Sequence, residues 1–150
     1  KIFNLIKNPI YTDKMKSINL KYYNSKYLND IYLMQTANYR KYYLNQKTFS
    51  YSNHKKYFNK IQNDKDIDIL VINLENKFEG YLKIKKVKKL NIISITIKSK
   101  YQNLKIATKV LKFMSKNYHF KGIPTAYIKK ENINSYKAFK NAKIKNIKFF

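Results

Sequence analysis

The chain has 150 residues, enough for one domain with a hydrophobic core, and 44% of them are hydrophobic, which excludes a disordered protein. It has no cysteine, which excludes disulfides, a thiol nucleophile and thiolate metal sites, and its two histidines, His54 and His119, are too far apart in sequence for a histidine metal motif. No apolar run approaches the roughly 20 residues that cross a bilayer, and no signal-peptide pattern opens the chain, so we expect a cytoplasmic protein.

The formal net charge of +25 has two possible explanations. The first is a basic surface that binds an anionic partner such as nucleic acid. The second is genome composition, because lysine, asparagine, isoleucine and tyrosine have AT-rich codons and make up most of the chain. The lysines are scattered, and the densest stretch, "KIKKVKK" (83–89), is predicted to form a hairpin tip. Both explanations remain open at this stage.

Periodicity divides the chain into a lead-in and one domain. Residues 1–16 show no clear period and contain Pro9, so we expect a lead-in or the end of a linker, followed by a single domain over 17–150. In chain order, the patterns predict a strand over residues 17–23, helices over 24–37 and 50–61, strands over 66–74, 78–87 and 90–98, a helix ending near residue 117, a strand over 125–130, a helix over 132–142 and a strand over 143–150.

This order of elements predicts an α/β fold with a mixed sheet. The three middle strands are joined by short turns and should be antiparallel, whereas the strand–helix–strand unit after them should place its two strands side by side in parallel. We therefore expect a mostly antiparallel sheet with one parallel strand pair and helices on both faces.

The first candidate site is the turn "YQNLKIATKVL" (101–111), between a predicted strand and a predicted helix. About four backbone N–H groups at the start of a helix lack partners and the helix dipole favours an anion, so this turn can hold a phosphate. An ordinary connection is the alternative. Lys105 could add a charge-assisted contact. The residues that would face the anion are Gln102, Asn103, Leu104, Lys105, Ile106, Ala107 and Thr108.

The second candidate site is "KKENINSYKAFKNAKI" (129–144), where a predicted strand ends and a helix begins. Asn132, Ser135 and Phe139 follow each other at spacings of three and four, so they share one face of that helix. The structural alternative is that Asn132 caps the helix and Phe139 packs in the core.

Together, the order of elements and these two segments resemble the GNAT superfamily of acetyl-CoA-dependent N-acetyltransferases, over roughly residues 17–150. The family's cofactor loop is Gln or Arg, two residues, Gly, one residue, then Gly or Ala. Here Gln102 and Ala107 match it, and Lys105 replaces the central glycine. "EGYLKI" resembles the family's third strand, with Gly80 at the usual glycine. A later family segment, Glu-Asn-x-x-Ser-x-x-x-Phe or Tyr, is matched by Glu131, Asn132, Ser135 and Phe139.

The resemblance implies direct acetyl transfer from acetyl-CoA to an amine, without a metal. Backbone groups of Ile95, Thr96 and Ile97 would hold the pantetheine and polarise the thioester carbonyl. The loop over 102–108 would hold the pyrophosphate, and the face with Asn132, Ser135 and Phe139 would lie along the cofactor.

The acid and base of the reaction are less clear from the resemblance. Many relatives have a glutamate at the position of Ile92 and a tyrosine at the position of Phe139, and this chain has neither. Tyr136, one turn earlier, and His54, whose ordinary pKa suits neutral pH, are the candidate catalytic residues, with ordered water as a third option. A GNAT fold without activity is a further alternative.

A narrower likeness lies in residues 27–58. This stretch resembles the N-terminal part of GNAT enzymes that acetylate nucleotide-linked amino sugars, of the kind found in the pseudaminic acid pathway. It contains the single arginine, Arg40, whose planar fork binds phosphate in a bidentate way. Arg40, Asn45 and His54 are the implied acceptor-binding residues. An arginine left by chance and a helix histidine bonded to backbone are the alternatives.

Two other functions remain open. The charge of +25 suits a GNAT enzyme that acts on aminoacyl-tRNA or on a protein amine. A basic module that binds RNA without catalysis is the third hypothesis, although the 15 tyrosines are spread over the chain rather than lining one strand face as stacking platforms do.

Overall fold

The computed structural model describes residues 11–13, 18–42, 50–98 and 105–150, and they form one sheet with helices on both faces. The elements are, in chain order, β1 (Tyr11–Asp13), β2 (Ile18–Tyr22), a 3-10 turn (Ser25–Tyr27), α1 (Leu28–Tyr42), α2 (Tyr51–Gln62), β3 (Ile67–Leu74), β4 (Lys77–Val87), β5 (Leu90–Ile97), α3 (Ile106–Asn117), β6 (Ile123–Ile128), α4 (Ile133–Asn141) and β7 (Asn146–Phe149).

The strands lie in the sheet in the order in which they follow each other in the chain. Every neighbouring pair from β1 to β5 is antiparallel. The pair β5–β6 is parallel, with α3 as its crossover, which confirms the predicted mixed α/β fold. The pair β6–β7 is parallel as well, with α4 as its crossover.

The first strand was missed by the sequence analysis. Tyr11–Asp13 lies within the predicted lead-in, yet it pairs with β2, from Tyr11 opposite Leu20 to Asp13 opposite Ile18. Three residues are too few to show a strand period, so only the pairing reveals this element.

Capping side chains explain where the first helices begin. The Ser50 hydroxyl accepts a hydrogen bond from the Asn53 N–H at 3.1 Å, and α2 starts directly after Ser50, at Tyr51. Asn24 caps the 3-10 turn that leads into α1 by accepting from the Lys26 N–H at 3.0 Å. Each cap satisfies an N–H group that the helix itself leaves without a partner.

Strand alternation gives the sheet two apolar faces. In β2, Ile18 and Leu20 point toward α3 and α4, where they join a core that includes Leu111 and Met114. In β3, Ile69 and Val71 point the other way and pack with residues of α1 and α2. Burial of each Leu or Ile side chain stabilises the fold by roughly 1.5–3 kcal/mol. The apolar residues on the two faces of the sheet therefore hold both helix layers against it.

Candidate functional site

The strands β5 and β6 separate after only three paired residues. Their parallel ladder runs from Leu90 opposite Ile123 to Ile92 opposite Thr125. Further along, Ile93–Ile97 pair within the described part of the chain with β4 alone, and Ala126–Ile128 pair with β7. The sheet is therefore open between the carboxyl-terminal parts of β5 and β6.

Side-chain hydrogen bonds fix the closed end of this opening. The Oδ1 atom of Asn91, a buried residue of β5, accepts from the Gly122 N–H at 2.7 Å, just before β6. On the far side of β6, the Asn146 Nδ2 group donates to the Thr125 hydroxyl at 2.9 Å. These bonds hold β5, β6 and β7 together at one end, so the strands diverge from a defined point.

Lys105, the residue just before α3, adopts the left-handed conformation, with φ 57° and ψ 20°. This is the position where the resembled family has glycine, the residue that takes this conformation at least cost. The Lys105 side chain is exposed and makes no capping hydrogen bond. The backbone thus keeps the shape of a glycine turn, and the lysine side chain lies in solvent.

The first turn of α3 supplies the backbone groups that the sequence analysis assigned to a phosphate. Ile106, Ala107 and Thr108 are half-buried there, and no acidic residue stands in this turn. α3 follows β5 after a short connection, so its N-terminus lies at the end of the sheet where β5 and β6 have separated. An anion bound there would meet the positive end of the helix dipole.

The second predicted segment starts at the same end of the sheet, after β6. The Oδ1 atom of Asn132 accepts from the Ser135 N–H at 3.1 Å, so Asn132 caps α4. Ser135 is half-buried, and Phe139 is 3% exposed within the core beneath α3 and α4. Capping and core packing therefore account for two of the three residues on this face.

Tyr136 lies on the β7 side of α4. Its ring is 5.5 Å from the ring of Phe149 and 5.6 Å from the Lys140 ammonium, and it is half-buried. These contacts place Tyr136 near the end of β7, with β6 between that strand and β5. Its predicted catalytic role stays a prediction.

His54 is part of the packing between α1 and α2. It is 4% exposed, and its ring contacts Tyr32, Tyr51 and Phe58 at 4.7–6.5 Å between centroids. Its Nε2 atom lies 3.3 Å from the Leu28 carbonyl oxygen, which can only accept, so the ring nitrogen donates. Burial lowers the pKa of His54 below its usual 6.5, more than the hydrogen bond to Leu28 raises it. This environment favours the structural alternative, a neutral histidine bonded to backbone.

Several predicted site residues fall beyond the described structure. Arg40 lies in α1, but its side chain is outside the described part of the chain. Asn45 and the residues Gln102, Asn103 and Leu104 lie wholly outside it. Ile95 packs against the core beneath α3 and α4, Thr96 is half-buried and Ile97 is 6% exposed, all on the open part of β5.

One acidic residue at the open end was missed by the sequence analysis. Glu79 lies in β4 where the register with β3 shifts, and it is 3% exposed. Its carbonyl oxygen accepts from the Lys98 N–H at 2.9 Å, and its Oε2 atom is 3.9 Å from the Lys98 ammonium. A buried carboxylate beside the end of β5 is a candidate proton acceptor. The irregular pairing that places it there has no sequence signal.

Within the described ranges, no three His, Asp or Glu side chains come together as a possible metal site. None of the helices described is both long and apolar enough to cross a membrane.

Several solved structures that share this fold are acetyltransferases. An acetyltransferase of the GNAT family from Bacillus anthracis superposes with a TM-score of 0.71 and 18% identity, over 90% of this chain and 82% of that one. SpeG, a spermidine N-acetyltransferase from Vibrio cholerae, gives 0.65 and 14% over 83% and 77%. MccE, a microcin C7 self-immunity acetyltransferase in complex with acetyl-CoA and AMP, gives 0.64 and 19% over 83% and 77%. No protein-family profile and no curated protein sequence matches the chain.

The chain thus has the fold of the GNAT acetyltransferases, a class of enzymes whose solved members include complexes with CoA or acetyl-CoA. The fold predicted from the resemblance is confirmed. At identities below one fifth, this likeness defines the fold, and the reaction has to be argued from the chain's own residues.

Proposed function

We propose that this protein is an acetyl-CoA-dependent N-acetyltransferase that acetylates a primary amine. The observation that carries the proposal is the opening between β5 and β6 beyond Ile92, with the uncapped N-terminus of α3 at the same end. A strand edge offers N–H and C=O groups to an extended chain, and a helix start offers N–H groups to an anion. Acetyl-CoA has both parts, a pantetheine arm and a pyrophosphate.

The residues present fit that cofactor. The backbone of Ile95, Thr96 and Ile97 would hold the pantetheine arm, and the loop over 102–108 would hold the pyrophosphate. The Lys105 side chain is exposed and makes no capping hydrogen bond, so it does not compete with the pyrophosphate for the N–H groups at the start of α3. When bound, acetyl-CoA supplies an acyl group on a good leaving group. The chain's part is to orient the amine and to move two protons.

For proton transfer, three side chains are candidates. Tyr136 stands at the open end on the β7 side, and Glu79 stands there on the β4 side. His54 is buried between α1 and α2, so a catalytic role would require the packing around it to open. We propose Glu79 as the first residue to test, because it combines burial with a position beside β5.

The acceptor we propose is a nucleotide-linked amino sugar, with Arg40 and Asn45 as the acceptor-binding residues. His54, the third residue predicted for this role, is buried between α1 and α2 and would contact the acceptor only if that packing opened. A chain with a net charge of +25 repels polycations, so a polyamine such as the substrate named for SpeG is disfavoured. A nucleotide sugar carries its amine on a polyanion and is attracted. MccE, which was crystallised with AMP, is a protein of the same fold that binds a nucleotide.

The test is calorimetric titration of acetyl-CoA into the protein, followed by turnover assays on a panel of amines. We expect saturable binding, acetylation of a nucleotide amino sugar, and loss of kcat with little change in KM for Glu79→Gln. Absence of acetyl-CoA binding would contradict the enzyme proposal. Binding with turnover of spermidine alone would contradict the acceptor proposal and leave the enzyme proposal intact.

A second candidate acceptor is the amine of an aminoacyl-tRNA. The observation that favours it is the tip of the β4–β5 hairpin, where Lys85 and Lys86 at the end of β4 and Lys88 and Lys89 in the turn are all exposed. The affinity for tRNA should then fall steeply with salt, because each neutralised phosphate releases counterions. A tRNA affinity that is independent of Lys85→Gln, Lys86→Gln and Lys88→Gln would count against this acceptor.

A further inference from the structure

A cavity of about 370 Å³ lies on the sheet face that carries α1, over β2, β3 and β4. Three asparagines from separate segments line it: Asn19 of β2, Asn73 of β3 and Asn76 of the turn after β3. The opening between β5 and β6 lies at the other side of β4. No residue of β5, α3 or α4 lines the cavity, so its lining is distinct from the groups proposed to hold the cofactor, although Phe78 is next in the chain to Glu79 of the open end.

The polar wall of the cavity interrupts an apolar row. In β3, Ile69 and Val71 belong to the core under α1 and α2, and Asn73 continues the same row at 6% exposure. In β2, the Oδ1 atom of Asn19 is buried and accepts no hydrogen bond from any residue of the described ranges. A buried amide without a partner costs roughly 1–3 kcal/mol, so a polar ligand would gain from pairing with it.

Charge at the rim favours an anion. Lys21 of β2 and Lys26 of the 3-10 turn line the cavity, and Asp30 of α1 is the acidic residue beside them. The cavity therefore carries more positive than negative side chains. Lysine binds phosphate as a point charge, and the asparagine amides provide donors and acceptors for the rest of a ligand.

Aromatic side chains complete the wall. Tyr27 and Phe78 line the cavity, and their rings are stacked at 6.2 Å between centroids. The Lys26 ammonium lies over the Tyr27 ring at 5.0 Å and the Lys98 ammonium over the Phe78 ring at 5.7 Å, so the two rings form an apolar wall rather than a free stacking platform. The amides and ammonium groups are the groups that recognise the edge of a base and a phosphate. The volume is at the lower end of the range for small-molecule sites, which suits a ligand of about mononucleotide size.

We propose that this cavity is a binding site for a small phosphorylated molecule of mononucleotide size. Lys21 and Lys26 hold its phosphate, and Asn19 and Asn73 hydrogen-bond to its polar ring or sugar. The inference goes beyond the proposed acetyl transfer and does not depend on it, because none of these residues lies on β5, α3 or α4.

The test is titration of AMP, UMP and inorganic phosphate, each separately, into the protein without acetyl-CoA. We expect AMP or UMP to bind more tightly than phosphate, and the double variant Lys21→Gln with Lys26→Gln to lose roughly tenfold or more in affinity. The matched control removes two exposed lysines of α3, Lys112→Gln with Lys116→Gln, on the opposite face of the sheet. It should bind like the unchanged protein.

A third variant distinguishes the contribution of the asparagine amides to binding from the contribution of net charge. Asn73→Leu keeps the volume nearly constant and removes the amide, so nucleotide affinity should fall while the unfolding midpoint stays equal or rises. Equal losses in the cavity and control variants would overturn the proposal. Nucleotide binding that none of the three variants affects would overturn it as well, because the nucleotide would then occupy the cofactor cleft or the proposed acceptor site. Failure of all three probes to bind the folded protein would overturn it as well.

Discussion

At the scale of single residues, the site depends on backbone conformation and burial more than on side-chain type. Lys105 shows this, because its φ of 57° gives the turn before α3 the shape that glycine gives elsewhere. His54 shows it too, because its place between two aromatic helices makes it a packed, hydrogen-bonded group. In both cases the residue type alone suggested a different role from the one its surroundings favour.

We predict that Lys105→Gly leaves stability within about 1 kcal/mol of the original and does not weaken acetyl-CoA binding. Glycine removes the left-handed strain of roughly 1–2 kcal/mol but adds backbone entropy to the unfolded chain. Lys105→Val places a β-branched residue in the same conformation, so its free energy of unfolding should be lower than that of the original protein and of Lys105→Gly. Urea unfolding of both variants measures this. Equal stabilities for Gly and Val would contradict the assigned conformation.

We predict that His54 makes the protein less stable in mild acid. Its pKa is lowered by folding, so below about pH 6.5 the unfolded chain takes up a proton that the folded protein does not. Its contribution to stability is full above that pH and falls as the pH falls.

Thermal unfolding from about pH 8 to about pH 5 tests this for the original chain and for His54→Phe. The variant should show a shallower loss of Tm toward acid. His119→Gln is the matched control, since His119 is exposed, and it should keep the full slope. A slope that disappears in the His119 variant and persists in the His54 variant would refute the assignment.

At the scale of elements, the fit between β4 and β5 holds the open edge in place. Gly80 pairs with Ile97, and a Cβ atom at residue 80 would come within 2.2 Å of the Thr96 carbonyl oxygen. This contact is with backbone, so no rotamer change relieves it. Only glycine lets β4 approach the part of β5 that is proposed to hold the cofactor.

We predict that Gly80→Ala destabilises the protein by about 1–3 kcal/mol or more, and lowers acetyl-CoA affinity by shifting β5. Chemical unfolding measures the first effect, and calorimetry on the protein that remains folded measures the second. Ser94→Ala, at an exposed position of β5, is the control. It should change neither the free energy of unfolding nor that of acetyl-CoA binding by more than about 0.5 kcal/mol. Unchanged stability in Gly80→Ala would show that the strands have more room than the structure gives them.

At the scale of the whole molecule, the formal net charge of +25 dominates. The eight acidic residues cannot neutralise 33 basic ones, so the compact state carries strong self-repulsion. The same charge attracts nucleotides, CoA and polyanions from solution. Stability and ligand capture are therefore coupled through one property of the chain.

We predict that the protein becomes more stable as salt rises from low to moderate concentration. Salt shortens the Debye length to about 10 Å at 0.1 M and screens repulsion between exposed lysines. The urea midpoint, measured in a series of sodium chloride concentrations, should rise. An equal rise of the urea midpoint in sucrose at constant ionic strength would show that exclusion of the cosolute, and not charge screening, stabilises the protein. A midpoint that does not change with sodium chloride would show that the repulsion is already relieved in the folded protein.

The sequence by itself determined most of the element order and the fold class. Alternation in β3, β4 and β5 and the caps at Ser50 and Asn132 are local signals, because side-chain period and capping depend on neighbours in the chain. The parallel pairing of β5 with β6 followed from the strand–helix–strand order. The same reasoning located α3 and α4, whose N-termini lie at the proposed site.

Only the tertiary structure decided what those local signals left open. The pairing of Tyr11–Asp13 with β2, the separation of β5 from β6 after Ile92, the burial of His54 and Glu79, and the cavity beside Asn73 all depend on contacts between distant residues. Burial and strand divergence are properties of packing. They have no period in the sequence, and a residue type such as histidine or glutamate suits a site and a core equally until its neighbours in space are known.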